Sequence, residues 1–417
     1  MRSIYSGDNC TNIISDGDVN LFIEGCGFLK EFSDVIRDEV KNIINSAGSL
    51  EHEAFISITT GNKDHAEACI DRMVDENDEF YLNKLLRSAS MYTFISESKA
   101  LDCYGKAYYM YPNSFKATNI YALYLMNVGK MKEAKEIYIK SLVSFKCPEE
   151  LESVEGNLGL LYKNIGDYSS AIDHLIKASE LSLDLDNEVG SAKHLNNLGS
   201  CYVNQGDYVE AIKVLKVALE SLTSKSNQEQ SSAIEYRHTE SNILANISLA
   251  FKVGYDETKE PSLIFEAIEY AKMGEKIAID EGLNNCLGRH YGNLSNFYDR
   301  LQNHKKKKEY LLKAIDAFDS KSSDKDKLTC TMNLGLFYFN EGDPEKAISC
   351  YLECLTQGVH KKYKRLHAQV EWNMAIARYQ RGEINEAIVS AKTASALLEE
   401  LELHSYAKEI KSAFGMV

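Results

Sequence analysis

A chain of 417 residues is long for a single compact core, so we expect several domains or an array of repeats. A content of 44% hydrophobic and 26% charged residues excludes a disordered chain. The formal net charge of −15 argues against a general nucleic-acid binder, because phosphate contacts require a basic face. We interpret the two basic runs, 305–308 and 361–365, as solvated helix starts and loops.

The cysteine and histidine patterns do not predict a metal site. The ten cysteines are scattered, which favours free thiols in a reducing compartment. Cys350 and Cys354 lie four apart on one helix, but no matching pair of ligands is nearby in sequence, so we interpret them as buried small residues. The histidines that we considered are interpreted as surface or core residues: His52, His65, His174, His194, His290 and His304. We expect no metal and no cofactor.

The N-terminus lacks the apolar run of a signal peptide, and no stretch approaches 18 apolar residues. We therefore expect a cytoplasmic protein without a membrane partner. Residues 1–46 begin polar and become apolar at spacings of three and four, which predicts a helix over about 28–46. We interpret this helix as an N-terminal cap on a repeat array. A regulatory segment is the alternative.

Three helix–turn–helix units of 34 residues are predicted over 47–148, starting near residues 47, 81 and 115. Each carries a small residue on its second helix, where the two helices approach closely: Ala66, Ala100 and Ala134.

Six longer units are predicted over 149–403, starting near residues 152, 192, 241, 288, 328 and 368. Their first helices carry the related motifs NLGLLY (157–162), NLGSCY (197–202), NISLAF (246–251), NLSNFY (293–298), NLGLFY (333–338) and NMAIAR (373–378). The aromatic residue that closes most copies is expected to pack between the two helices. In the unit at 241 we expect a long turn over Gly254–Pro261, and the segment 404–417 is expected to form a C-terminal capping helix.

These units resemble the tetratricopeptide repeat (TPR) over residues 47–403, most closely where GDYxxAI-type second helices follow the motif. The resemblance implies an all-α, right-handed superhelix, or α-solenoid, of about nine repeats whose first helices line a concave groove. The spacing near 40 residues, with Asn in the first helix, is similar to the kinesin-light-chain and Pins/LGN adaptors. It is also similar to peptide receptors of the Rap and arbitrium type.

The asparagine that opens each motif stands at position 6 of its unit, counted from the unit start. Helix interiors disfavour Asn, so we infer that the residue is selected for its side chain. A carboxamide both donates and accepts, which allows it to pair with the backbone of an extended peptide. The predicted peptide-binding residues at this position are Asn157, Asn197, Asn246, Asn293, Asn333 and Asn373. The alternative is that these amides bridge neighbouring helices or cap turns.

Further polar residues follow on the same side of the first helices. Position 13 holds Asn164, Asn204, Arg300, Asn340 and Gln380. Basic residues at positions 2 and 12 include Lys163, Lys193, Lys252 and Arg289. A basic middle of the groove would favour an acidic segment or a C-terminal tail as the partner.

The sequence therefore predicts a non-enzymatic adaptor that binds an extended peptide or a partner's tail in the groove. Motifs for phosphate loops, metalloproteases and serine hydrolases are missing from the sequence. The alternative function is a regulatory receptor in which a bound peptide changes the superhelix and thereby controls a second partner. The identity of the partner and the oligomeric state are left open.

Overall fold

The computed structural model describes residues 50–59, 62–74, 81–223, 233–318, 324–358, 363–401 and 403–415. The predicted helix over about 28–46 lies outside these residues. Over the described ranges the chain is all-α, without strands. The helices are α1 (Leu50–Thr59), α2 (Lys63–Val74), α3 (Tyr81–Tyr92), α4 (Glu97–Met110), α5 (Phe115–Asn127), α6 (Met131–Ser144), α7 (Pro148–Ile165), α8 (Tyr168–Asp184), α9 (Glu188–Gln205), α10 (Tyr208–Thr223), α11 (Ala233–Thr258), α12 (Pro261–Asp280), α13 (Asn284–Arg300), α14 (His304–Ala317), α15 (Asp324–Asn340), α16 (Pro344–Thr356), α17 (Lys364–Gln380), α18 (Ile384–Glu400) and α19 (His404–Ala413).

In the described chain, consecutive helices pack as the helical hairpins α1–α2, α3–α4, α5–α6, α9–α10, α11–α12, α13–α14, α15–α16 and α17–α18, and α19 packs on α18 as a final helix. Helices α7 and α8 form a further such pair, in which the rings of Tyr162 and His174 stack on each other. This is the all-α solenoid architecture expected from the sequence. Hereafter, the first helix of each hairpin is called its A helix. None of the described helices combines the length and the apolar character needed to cross a membrane.

Local sequence signals set the ends of these helices. Asn187 accepts a hydrogen bond from the backbone N–H of Gly190 and so caps the start of α9. The same helix ends at Gly206, whose φ of 85° is a left-handed conformation that favours glycine. Helices α12 and α16 each begin at a proline, which a first helical turn accepts because its N–H has no partner in the helix.

The chain divides into two compact units, Met1–Leu161 and Tyr162–Val417. In the first, fully buried residues such as Ile70, Leu85 and Tyr104 form a continuous core across the hairpins. In the second, one core contains Leu215, Ile247 and other buried residues of neighbouring hairpins. Further clusters continue the packing over α13–α19.

The small third residue of the motif allows the two helices of a hairpin to approach closely. A Cβ on Gly199 would lie 2.4 Å from Leu215 Cγ, and one on Gly335 would lie 2.5 Å from Tyr351 Cε1. Both neighbours are buried side chains on the second helix of the same hairpin. A larger residue would therefore force the two helices apart.

The aromatic residue that closes the motif packs between the helices, as predicted, in at least three hairpins. Ring centroids are 5.3 Å apart in the stacked pair Tyr162–His174, 5.4 Å in Phe251–Tyr270 and 5.4 Å in Tyr298–Tyr310. Each pair joins the two helices of one hairpin and so fixes their spacing.

One sequence prediction is wrong, and a second is incomplete. Gly254 does not open a long turn, because α11 continues to Thr258 and the next helix begins at Pro261. Gly254 instead permits a close contact: an added Cβ would lie 2.7 Å from Tyr208 Cδ2. The run 305–308 is also more than a solvated helix start. Lys307 Nζ lies 2.8 Å from an Asp299 carboxylate oxygen, and Lys308 lies over the Tyr338 ring at 5.0 Å from its centroid.

Candidate functional site

The motif asparagines all lie on A helices. Asn157 is on α7 in the first compact unit, and the other five are in the second, on α9, α11, α13, α15 and α17. Within the second unit each of these A helices also packs on the next A helix in order. Their adjacent surfaces, with the motif asparagines and the position-13 residues of α9–α17, are called the A-helix face.

In the first compact unit, Asn157 has a structural hydrogen bond. Its Nδ2 donates to Asn119 Oδ1 at 2.9 Å. The same oxygen also accepts from the Tyr138 hydroxyl at 3.3 Å. Asn157 therefore joins two A helices, α5 and α7, which is the alternative considered from the sequence.

Three motif asparagines of the second unit are engaged in the same way. Asn246 Nδ2 donates to Asn196 Oδ1 at 2.8 Å, and Asn197 Oδ1 accepts from Lys163 Nζ at 2.7 Å. Asn293 is buried, and its Nδ2 lies 3.4 Å from both Ser248 Oγ and the Ala245 carbonyl oxygen. Carboxamide hydrogen bonds thus connect the A helices from α7 to α13, within residues 162–300.

Asn333 and Asn373 differ from the other motif asparagines. Their half-buried side chains have no hydrogen-bond partner among the residues that the structure describes. Leu336, one turn beyond Asn333, is 39% exposed, and Tyr379, at position 12 of the last unit, is 59% exposed. Residues three and four apart share a helix face, so Leu336 stands beside the Asn333 amide. The Asn333 amide therefore stands beside an accessible apolar side chain, whereas the exposed Tyr379 ring also packs edge-on against Phe414, with ring centroids 5.7 Å apart.

The position-13 residues are exposed at the same edge of the A helices. Asn164, Asn204, Arg300, Asn340 and Gln380 are all in the exposed class. Asn204 Nδ2 donates to the Ser200 carbonyl of its own helix at 2.8 Å. The position-13 side chains are thus accessible to a partner, although one of them already has an intrahelical bond.

The basic residues of the A-helix face have partners within the chain. Arg300 contacts Asp256 through two nitrogens at 2.7 and 3.2 Å, and Lys252 reaches the same carboxylate at 2.7 Å. Although burial raises the pKa of the Asp256 carboxyl, hydrogen bonds from Arg300 and Lys252 outweigh it and lower the pKa overall. Lys193 is ion-paired with Glu235. These contacts reduce the positive charge that the sequence predicts for the middle of the face.

Arg289 shows a further role for carboxamides. Its Nη1 donates to Asn242 Oδ1 at 2.7 Å, which links α13 to α11. The roles of Asn119, Asn196 and Asn242 were not predicted, because these residues do not stand at position 6. In the sequence, each is marked only by being an asparagine within four residues of position 6 of its unit.

Models of the tetratricopeptide repeat match this sequence in three segments, one model over residues 150–224 and a second over 289–319 and 331–357. These segments of the chain are therefore tetratricopeptide repeats. The matched TPR segments contain Asn157, Asn197, Asn293 and Asn333, so these residues belong to recognised repeats. No curated protein matches the sequence.

Solved structures share the TPR architecture at low sequence identity. One is a signal-transduction ATPase with numerous domains and a TPR sensor, from Pyrococcus horikoshii, at 13% identity and a TM-score of 0.51; the match covers 98% of this chain and 68% of that one. Another is the apo form of RapI, at 13% identity and a TM-score of 0.50, covering 69% of this chain and 98% of that one. At these identities the similarity shows a shared fold.

Proposed function

We propose that this TPR protein is a non-enzymatic interaction protein that binds an extended peptide segment of a partner on its A-helix face. The observation that carries the proposal is the pair Asn333 and Asn373, whose amides lack partners in the described chain. A half-buried carboxamide without a partner can donate to and accept from the backbone of an incoming strand. Repeat solenoids commonly use such extended surfaces for binding.

The spacing of the A helices suits an extended ligand. Neighbouring helices stand about 10 Å apart, and an extended peptide advances about 3.3 Å per residue. Successive motif asparagines would therefore meet about every third residue of the peptide. Leu336 and Tyr379 supply apolar contacts for side chains of the same peptide. We therefore place the centre of the site on α15 and α17, with Asn340 and Gln380 at its edge.

The motif asparagines that already bond to a neighbouring A helix have a different role in the proposed peptide binding. Asn246 and Asn293 hold neighbouring A helices together through their own bonds. Asn197 uses its oxygen for Lys163, and its Nδ2 makes no bond among the described residues. A peptide would gain a new donor at Asn197 but would have to displace existing bonds at Asn246. The acidic character of the partner remains part of the proposal, with Lys163 and Arg289 as the basic contacts.

The test uses a peptide selected for binding to the purified full-length chain. A displayed library of random peptides of about 15 residues is panned, and the affinity of a selected peptide is measured by fluorescence anisotropy. The double variant Asn333→Ala/Asn373→Ala is expected to weaken binding at least about tenfold, because several bonds of about 0.5–1.5 kcal/mol each are lost.

The matched control is Asn385→Ala, which removes an exposed asparagine from the second helix of the last hairpin. The control is expected to bind the peptide like the wild-type chain. Unchanged affinity in the double variant, or an equal loss in the control, would contradict the proposal.

A second candidate function is a peptide-sensing receptor, and the uneven bonding of the A helices favours it. Carboxamide bonds join the A helices up to α13, whereas Asn333 on α15 and Asn373 on α17 have no such bond in the described chain. A peptide that engages both amides would add a link between α15 and α17. Amide hydrogen exchange in α15–α18 should then slow on peptide binding; unchanged exchange at saturating peptide argues for a static adaptor.

A further inference from the structure

The first hairpin brings three different metal-binding side chains together, outside the A-helix face of the second unit. Glu53 lies on α1, and His65 and Cys69 lie four residues apart on α2. Glu53 Oε1 is 3.0 Å from His65 Nε2, and Cys69 Sγ is 3.8 Å from the same nitrogen. One ligand atom from each residue lies within 4.8 Å of the other two.

Close packing of the two helices produces this cluster. Ala54 follows Glu53 and Ala66 follows His65, and both alanines are fully buried. Their small side chains let α1 and α2 approach, so that the neighbouring Glu53 and His65 face each other. The backbone N–H of Asn62 donates to the Ser57 carbonyl at 2.8 Å and ties the start of α2 to the end of α1. Residues four apart share a helix face, which brings Cys69 beside His65.

Without a cation, His65 Nε2 has either one hydrogen or one lone pair to share between Glu53 and Cys69. If His65 Nε2 carries a proton, it can donate to Glu53, but the Cys69 thiol then has no lone pair on that nitrogen to donate to. If Nε2 is unprotonated, it can accept from the thiol, but its lone pair then faces the Glu53 carboxylate at 3.0 Å. A cation among the three ligand atoms would accept electron pairs from the carboxylate, the imidazole and the thiolate together.

We propose that Glu53, His65 and Cys69 bind one divalent transition-metal ion of the zinc type, with water as the fourth ligand. Zinc takes carboxylate oxygen and imidazole nitrogen at about 2.0–2.2 Å and thiolate sulfur at about 2.3 Å in tetrahedral sites. The thiolate selects zinc-type ions over magnesium and calcium, which prefer oxygen ligands. The side chains of Glu53 and His65 are 53% and 49% exposed, so the ion and its water can enter from solvent. Cys69 is 2% exposed and would bind the ion from the side that faces the protein interior.

The proposed ion joins α1 to α2 in the first described hairpin. An ion that binds the folded hairpin and not the unfolded chain stabilises the fold by mass action. Binding of the ion replaces the proton on the Cys69 thiol, so the affinity should rise with pH. This inference is independent of the proposed peptide binding, because the two sites share no residue.

The test is a titration of the reduced full-length chain with Co²⁺, followed by displacement with Zn²⁺. Cobalt bound to a thiolate in a tetrahedral site gives a near-ultraviolet charge-transfer band and visible d–d bands. The wild-type chain is expected to bind about one ion with both signals. Glu53→Gln and His65→Gln change exposed side chains and should preserve the fold, as checked by circular dichroism, yet weaken Co²⁺ binding at least tenfold.

Cys69→Ser should abolish the charge-transfer band, whereas Cys147→Ser, at an exposed cysteine outside the cluster, should leave it unchanged. The wild-type chain failing to show a thiolate–cobalt band would overturn the proposal. An undiminished Co²⁺ affinity in His65→Gln or Glu53→Gln would overturn it as well, since both residues are proposed ligands.

Discussion

Asn246 Nδ2 donates a hydrogen bond to Asn196 Oδ1 at 2.8 Å, and this bond connects the A helices α9 and α11. Asn333 stands at the same position of the motif two hairpins later, yet its amide has no partner in the described chain. One sequence motif thus serves two purposes: it joins A helices in one part of the second unit and leaves amides accessible in another. Substitutions at the two positions should therefore affect different properties.

Asn246→Ala should lower the free energy of unfolding by about 1 kcal/mol, because Asn196 Oδ1 loses its donor in a half-buried site. Denaturant unfolding monitored by circular dichroism measures this change. Asn333→Ala removes no hydrogen bond within the described part of the chain and should stay within about 0.5 kcal/mol of the wild type. Equal destabilisation by both substitutions would contradict the division of roles.

Gly335→Ala should destabilise the second compact unit by about 1–3 kcal/mol through overpacking. An added Cβ would lie 2.5 Å from Tyr351 Cε1, and Tyr351 is almost fully buried, so its ring has little room to move. The midpoint of denaturant unfolding measures the effect.

Gly292→Ala is the matched control for this glycine substitution. Gly292 also lies within an A helix, but the nearest atom to its added Cβ is Cys330 Sγ at 3.5 Å, an ordinary contact. Alanine is the better helix former by about 1 kcal/mol, so this substitution should be neutral or stabilising. If Gly292→Ala destabilised the chain as much as Gly335→Ala, the close-approach explanation would fail.

His290 should make stability decrease on acidification. It is fully buried, and Ser241 Oγ lies 2.9 Å from its Nε2. Burial lowers the pKa of His290 to about 3, and the nearby Arg289 contributes to the decrease. The unfolded chain binds this proton below about pH 6.5, whereas the folded chain does not until about pH 3, so stability is lost as pH falls between them. The expected loss from neutral pH to about pH 5 is about 2 kcal/mol.

The measurement is the difference in unfolding free energy between neutral pH and about pH 5. His290→Asn should reduce this difference by about 2 kcal/mol, although its smaller side chain also lowers stability at both pH values. His404→Gln, at an exposed histidine of α19, should keep the wild-type difference. A His290→Asn variant with the full wild-type pH dependence would contradict the assignment.

Much of the repeat architecture could be predicted from the sequence, because each hairpin repeats its own local signals. Helices α3 and α5 begin at the predicted residues 81 and 115, and α19 begins at the predicted 404. Gly254 misled the prediction because a glycine can mark either a turn or a close approach. Only the position of Tyr208, on a neighbouring hairpin, shows which applies. Pairwise distances between hairpins cannot be obtained from periodicity.

The candidate site was predicted less completely. Position 6 was recognised from its repetition, and the carboxamide chemistry follows from the residue type. What the sequence could not distinguish was a bridging Asn246 from an accessible Asn333, because the partner Asn196 lies 50 positions away from Asn246. The ion pair of Arg300 with Asp256 was missed for the same reason. Both depend on how adjacent A helices face each other.

The most direct test of the central claim is an N-methyl scan of the selected peptide, since the proposed amides recognise backbone groups. Each peptide N–H is replaced by N–CH₃ in turn, and affinity for the wild-type chain is measured beside an alanine scan of the side chains. We predict that affinity falls at positions about three residues apart and that these losses disappear in Asn333→Ala/Asn373→Ala. Uniform tolerance of N-methylation would contradict it.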